Sequence, residues 1–386
     1  MYLQKGVIII GGHVQALSLT RSYGENNIPV YILDRLNCLA KYSKYCQKFF
    51  ICPDFSSNAF TDFLIELAKI ENIKDWVLIP TNDHAVINLS KNKSELDEYY
   101  KMLVPPFEII DHIYDKVKLI EIAKQLNIPT PNTQCFSNNT IDLNYLEFPI
   151  ITKGKYGLTF YHTLKKKAFI SSSPIELKKN LEQIQTKYKL EDIFSQTVIS
   201  SKNNNKTISF TSYSENGEIK AFWMGAKLRQ HPISFGTATF AKSVYEADIL
   251  DYASRLIKHF EYTGVCEIEF LKDPIDLKFK LIEINARTWL WVGLAKECGI
   301  NYALYIYNYL NNLPNNFPQN YQLGVKWINR ITDTLFSIKA ILTGNLKIKE
   351  YFYTTDGKTI DALYKKGDKK PYFAYIMLLI SFARKR

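Results

Sequence analysis

Val7-Ile8-Ile9-Ile10 is a run of β-favouring aliphatic residues that stops at Gly11-Gly12 and gives way to apolar residues at helical spacing, Val14, Leu17, Leu19 and Tyr23. The same beat recurs downstream. Val30-Tyr31-Ile32-Leu33 ends in Asp34, and Trp76-Val77-Leu78-Ile79 ends at Pro80-Thr81-Asn82-Asp83. Strands that are apolar on every residue must be covered on both faces, and strands that alternate with helices run parallel. An N-terminal parallel α/β domain is therefore expected over residues 1–110. The polar residues after each strand fall at the carboxyl edge of such a sheet, where ligands bind. Gly11-Gly12-His13 lacks the third glycine of a G-x-G-x-x-G turn, which disfavours a nicotinamide or flavin site.

The texture changes near residue 111. Asp115-Lys116 opens a helix predicted to run to Leu126, and Pro129 and Pro131 end it. Phe148-Pro149-Ile150-Ile151-Thr152-Lys153 reads as a strand that delivers a lysine to Gly154-Lys155-Tyr156-Gly157. A β-rich stretch begins near Ile193 and runs through Ile208 to Phe222. A helix follows at Asp248–Phe260, and then two strands, Val265–Leu271 and Phe279–Ile284, meet at a turn containing Asp273-Pro274. Beyond Asn311 the chain reads as helical and loop-rich.

Residues two apart in a strand share a face. Glu267 and Glu269 therefore point together, as do Glu283, Asn285 and Arg287, while Ile268, Phe270, Ile282 and Ile284 point away. If the two strands pair, one face is apolar and the other gathers three carboxylates, an amide and a guanidinium. Such a cluster needs a compensating cation, and hard oxygen donors suit magnesium. The alternative is an exposed sheet face bearing ordinary charges.

Taken in order, Asp115-Lys116, Lys153 before a glycine-containing loop, Glu269, and Glu283-x-Asn285-x-Arg287 resemble the ATP-grasp superfamily, which includes biotin carboxylase, carbamoyl-phosphate synthetase, D-alanine–D-alanine ligase and D-aspartate ligase. The resemblance spans about residues 1–310. It implies an α/β fold in which a parallel pre-ATP-grasp domain precedes two α+β subdomains clasping ATP, at 111–193 and 194–310, with a basic extension over 311–386. It also implies roles. Lys116 and Lys153 would contact nucleotide phosphates, and Gly154 to Gly157 would form a mobile loop over ATP. Gln196, Thr197, Val198 and Ile199 would line the adenine hinge, although Gln196-Thr197 replaces the usual Gln-Glu. Glu269, Glu283 and Asn285 would bind magnesium or manganese, and Arg287 would neutralise the developing anion. The reaction implied is ATP-dependent joining of a carboxylate to an amine, with Glu267 as candidate base.

Lys227-Leu228-Arg229-Gln230-His231, followed by the hydroxyl-rich Ser234–Thr239, is the candidate substrate site. Lys227, Arg229 and His231 would face an anionic substrate, with Arg229 suited to a bidentate carboxylate contact. The remaining histidines show no metal-ligand spacing. Trp289 and Trp291 fit core packing better than a pocket wall. Cys266 and Cys298 read as small buried residues.

The chain of 386 residues carries a net charge of +11, and residues 344–386 hold ten Lys/Arg against four Asp/Glu. Such a tail is expected to be a solvated basic surface, with peripheral contact to anionic membrane as the alternative. Its apolar run Tyr372–Ala383 is expected to dock on the body. No run is long enough to span a bilayer. The six cysteines form no C-x-x-C pair, and the N-terminus lacks a signal-peptide pattern, so a cytoplasmic protein with reduced thiols is expected. Small-molecule carboxylate and amine substrates are the expected partners, with no nucleic acid and with homodimerisation open. Two rival readings are a nucleotide-binding regulator without turnover and a membrane- or nucleic-acid-binding module acting through the tail.

Overall fold

Val7 and Ile9 pack into one apolar core while Ile8 and Ile10 pack into another, so the first strand is sandwiched on both faces. The computed structural model describes residues 5–136, 141–199, 207–231, 236–344, 346–353 and 357–384. The strands β1 (Val7–Ile10), β2 (Val30–Asp34), β3 (Cys46–Ile51), β4 (Trp76–Pro80) and β5 (Tyr100–Met102) form a parallel sheet in the order β3-β2-β1-β4-β5. This is the α/β unit read from the repeated strand–helix beat. The topology reverses at β1, between β2 and β4. The loops Gly11–His13 and Thr81–Asp83 therefore meet at the carboxyl edge, with Thr81 Oγ1 donating to the Ile10 carbonyl at 2.7 Å.

A second, four-stranded sheet has the order β6-β9-β7-β8, from β6 (Thr133–Cys135), β7 (Ile150–Gly154), β8 (Phe169–Ser171) and β9 (Ile193–Thr197). β9 crosses the expected division at 193/194 and stays with this smaller sheet. The third sheet has seven strands: β10 (Thr207–Glu215), β11 (Glu218–His231), β12 (Thr237–Ser243), β13 (Gly264–Lys272), β14 (Phe279–Asn285), β15 (Lys326–Ile328) and β16 (Thr359–Asp361). Its order is β14-β13-β10-β11-β12-β15-β16, and only β15 and β16 pair parallel.

The last two strands lie within the expected helical, loop-rich extension, beside the helices Arg330–Leu342, Ile348–Tyr353 and Lys370–Arg384. Trp327 lies in β15 with 1 % exposure and joins Trp223, Trp289 and Trp291 in one core. Residues past 311 thus complete the large sheet. A buried clamp then returns the chain to the N-terminal domain. Arg21 Nε donates to Asp368 Oδ2 at 2.8 Å, and Ser43 Oγ donates to the same oxygen at 2.9 Å. The terminal helix Lys370–Arg384 docks as expected, with Tyr372, Tyr375 and Leu378 against this core. In the described residues no helix is long and apolar enough to cross a membrane.

Candidate active site

The two carboxylate-bearing strands pair in the register their alternation requires. Glu267 faces Asn285 and Glu269 faces Glu283 across β13 and β14, with a bulge after Glu269. Ile268, Phe270, Leu281 and Ile284 fill the core on the opposite face. Burial of that apolar face fixes the register, since a one-residue slip would turn the carboxylates into the core.

Each facing carboxylate is met by an ammonium group from a different element. Lys227 on β11 donates to both oxygens of Glu269 at 2.7 Å. Lys116, the first residue of the helix Lys116–Gln125, donates to Glu283 Oε2 at 3.0 Å. That helix is placed by Asp115, whose carboxylate accepts the N–H groups of Val117 and Lys118 as an N-cap. Glu283 is held low, at about 2, chiefly by Lys116 and against the cost of burial. Its side chain is 37 % exposed, so solvent screening attenuates that pull. Lys153, on β7, is pushed down to about 8 by burial and by the like charge of Lys116.

Glu267 lies deeper. Its Oε2 accepts the Asn285 amide at 3.1 Å, while Oε1 is buried without a hydrogen-bond partner. Burial, followed by the charge of Glu269, pushes it up to about 7. Burial works against the charge on Lys227, but Glu269 and Glu267 keep its ammonium above the usual range.

Arg287 stands just past β14 and takes a partner that sequence reasoning did not pair with it. Its Nε and Nη2 fork onto Asp83 at 2.6 and 3.1 Å, and Nη2 also reaches Asn285 Oδ1 at 3.3 Å. Asp83 opens the helix Asp83–Lys91 at the carboxyl edge of the N-terminal sheet and accepts the Tyr114 hydroxyl at 2.9 Å. The signal was its place among the polar residues that end β4. The N-terminal domain thus braces the guanidinium.

Other expected residues sit differently. The anticipated mobile glycine loop is a two-residue link, because Gly154 ends β7 and Gly157 begins the helix Gly157–Leu164. A Cβ on Gly154 would lie 2.5 Å from the Phe160 side chain, so close packing accounts for that glycine. Lys155 donates its N–H to the Asp192 carbonyl at 2.8 Å, and the Tyr156 hydroxyl donates to Asp111 at 2.6 Å. In the hinge strand, Gln196 Nε2 donates to Thr133 at 2.9 Å and Thr197 Oγ1 accepts the Glu147 N–H at 3.0 Å. Val198 N–H is donated to the Pro149 carbonyl at 2.9 Å, and Ile199 follows outside any regular element.

Of the three candidate substrate contacts, only Lys227 joins the carboxylate face. Bulges in β11 around Arg229 break the strict alternation. Arg229 forks onto Asp333 of the helix Arg330–Leu342 through Nε at 2.9 Å and Nη2 at 2.6 Å. His231 stacks on Phe336 of the same helix, where burial and Lys339 lower its pKa. Thr237, Ala238 and Thr239 open β12 rather than a loop, and Thr239 Oγ1 donates to Asp333 at 2.8 Å. Pro232, Ser234 and Phe235 lie outside the described residues. Trp289 and Trp291 are core residues, and burial pushes the Cys266 thiol up to about 12.

The donor set fits a hard divalent ion in part. Among the described residues no group of three or more His, Cys, Asp or Glu side chains is placed to hold a metal alone. Glu269, Glu283 and the Asn285 oxygen supply a few oxygens, which suits an ion that completes its shell with water and phosphate.

Known proteins resemble this chain in sequence and in fold. Residues 230–301 match the family described as carbamoyl-phosphate synthase L chain, ATP binding domain. D-aspartate ligase of Enterococcus faecium (strain Aus0004) is 24% identical over 318 residues, covering 78% of this chain and 75% of that protein. The chain is thus similar to ATP-grasp ligases, in sequence to the D-aspartate ligase and over residues 230–301 to the ATP-binding family, and in fold to the solved structures. Among solved ATP-grasp structures, N5-carboxyaminoimidazole synthetase from Staphylococcus aureus complexed with ADP superposes with a TM-score of 0.66 at 15% identity, covering 92% of each chain. L-amino acid ligase from Bacillus licheniformis gives 0.59 at 16% identity, covering 80% of this chain and 75% of that one. Lys116 from the helix after the N-terminal domain, Lys153 from the small sheet and Lys227 from the large sheet all act on Glu283, Lys116 directly at 3.0 Å.

Proposed function

We propose that this chain is an ATP- and magnesium-dependent, ADP-forming ligase that joins a carboxylate to an amine, with an amino acid as one substrate. The observation that carries the reading is the pair Glu269–Glu283, cross-strand neighbours that each hold an ammonium group from a separate element. Two lysines on two carboxylates make a charge-balanced cleft that an anionic nucleotide and its counter-ion enter by exchanging partners. The relatives named D-aspartate ligase and L-amino acid ligase support an amino-acid substrate.

Lys116 and Lys153 would bind the nucleotide phosphates as point charges. Glu269, Glu283 and Asn285 would hold magnesium, which offsets phosphate charge when bound. The substrate carboxylate attacks the γ-phosphorus, the bond to the bridging oxygen breaks, and ADP leaves with an acyl phosphate formed. The amine then attacks the acyl carbon and phosphate departs. Arg287, braced by Asp83, would stabilise the oxyanion of that second step. Glu267, with its raised pKa and one unpartnered oxygen, would accept the amine proton as base.

An ADP-release screen over amino acids, other carboxylates and amines tests the reading. Release is expected to require both substrates and to fall at least about a hundredfold in Glu283→Gln, the scale for losing one charge-stabilising group. ATP binding without release for any pair would favour a regulator, and full turnover by Glu283→Gln would remove the metal assignment.

A further inference from the structure

The terminal helix Lys370–Arg384 buries only part of its apolar surface. Ala374 is 1 % exposed and Tyr372, Tyr375 and Leu378 pack inward. Phe373, Ile376, Met377 and Ile380 are exposed, at 59%, 38%, 59% and 49%. Spacings of three, four and seven put these four on one helix face. The helix Arg330–Leu342 repeats the pattern. Asp333 and Ser337 face inward, while Leu335, Ile338 and Leu342 form an exposed stripe. The start of that helix touches the terminal helix, since its N-cap Asn329 donates through Nδ2 to the Tyr375 hydroxyl at 3.3 Å.

Three carboxylates of this region already have partners. Asp333 is occupied by Arg229, Asp361 by Arg330 and the Leu363 N–H, and Asp368 by Arg21. Lys339 and Lys370 on the two helices, and Lys366 and Lys369 just before the second, are exposed. The cores of protein–protein interfaces are depleted in lysine, whereas apolar stripes bordered by lysine suit an anionic interface. At 15 residues the terminal helix measures about 22 Å, too short to span hydrocarbon but long enough to lie in its boundary.

We propose that this C-terminal helical face docks the protein on an anionic phospholipid bilayer, with Phe373 and Met377 entering the acyl boundary and the lysines contacting headgroups. The inference rests on the helices alone and is independent of the reaction at the cleft.

Flotation of the full chain with phosphatidylcholine vesicles, with and without phosphatidylglycerol, tests it. Binding is expected only with phosphatidylglycerol and is expected to weaken with salt. Met377→Asp/Ile380→Asp should lower the partition constant at least about tenfold. Lys366→Gln and Lys369→Gln should each lower it about fivefold. These surface lysines keep the test decisive if the apolar variant folds poorly, which thermal melting reads directly. Absence of binding, or undiminished binding by the lysine variants, overturns the proposal. So does a stable dimer in light scattering that Met377→Asp/Ile380→Asp makes monomeric without any vesicle binding, since a second copy would then cover the face.

Discussion

Lys227 and Arg229 stand two residues apart on β11, yet one reaches into the cleft and the other is held by a C-terminal helix. Arg229 meets Asp333 through two parallel N–H···O bonds, Thr239 adds a third donor, and Asp333 is 1 % exposed. Lys227 offers one compact ammonium to Glu269, beside a Glu267 oxygen with no partner. The first arrangement is saturated and the second is not. A saturated pair holds elements together, whereas an incompletely satisfied cluster keeps its charges ready to change partners.

Removing one member from each pair should separate the two cases. Asp333→Ala leaves the Arg229 guanidinium buried, and arginine cannot shed its proton. A loss of about 3–5 kcal/mol in denaturant unfolding is expected, nearly independent of pH. Lys227→Met instead strands carboxylates, which escape by taking up protons. Its cost should be small near pH 5, grow as pH rises, and shrink when magnesium is added. Equal, pH-independent losses in both variants would collapse the distinction.

Glu267 sharpens the contrast from within the cleft. Its folded pKa of about 7 lies above the usual value of 4.5, so the unfolded chain releases that proton first. Stability contributed by the protonated carboxyl is therefore present below about pH 4.5 and is lost as pH rises toward 7. Glu267→Gln should flatten this fall and exceed the parent protein by about 2 kcal/mol at pH 8, while slowing ADP release. A variant as pH-sensitive as the parent would place the titration elsewhere.

How much of this was legible in the sequence follows from the range of the interactions. The parallel sheet and the β13–β14 pairing were readable because strand period and burial are local patterns. Asp83 stood in view as a polar residue at the end of β4, but its pairing with Arg287 spans 204 residues and leaves no periodic trace. Asp333 is further from reach. It sits in a stretch that reads as helix whichever way its face turns, and only the bulges in β11 aim Arg229 toward it. The strands β15 and β16 are three residues each, too short for alternation to register. Gly154 shows the converse ambiguity, since a glycine packed against Phe160 reads in sequence like one kept for mobility.

Lys153 gives the smallest effect and the cleanest test of charges that change partners. Burial and Lys116 hold it down to about 8, so near pH 8 about half of the population is neutral before nucleotide arrives. A phosphate brought beside it favours the charged form and raises the pKa. ATP binding at pH 8 should therefore draw up to about half a proton from solution, read as a binding enthalpy that varies with the ionisation heat of the buffer. The uptake should vanish at pH 6, where the lysine is already charged, and in Lys153→Met at every pH. Arg287 supplies the control, because burial works against its charge but Asp83 holds its pKa well above the ordinary arginine range. It carries its charge throughout and contributes no proton linkage. Uptake that persists in Lys153→Met would mean that the phosphates lie against another group, and Lys153 would then belong with the fixed charges rather than the exchangeable ones.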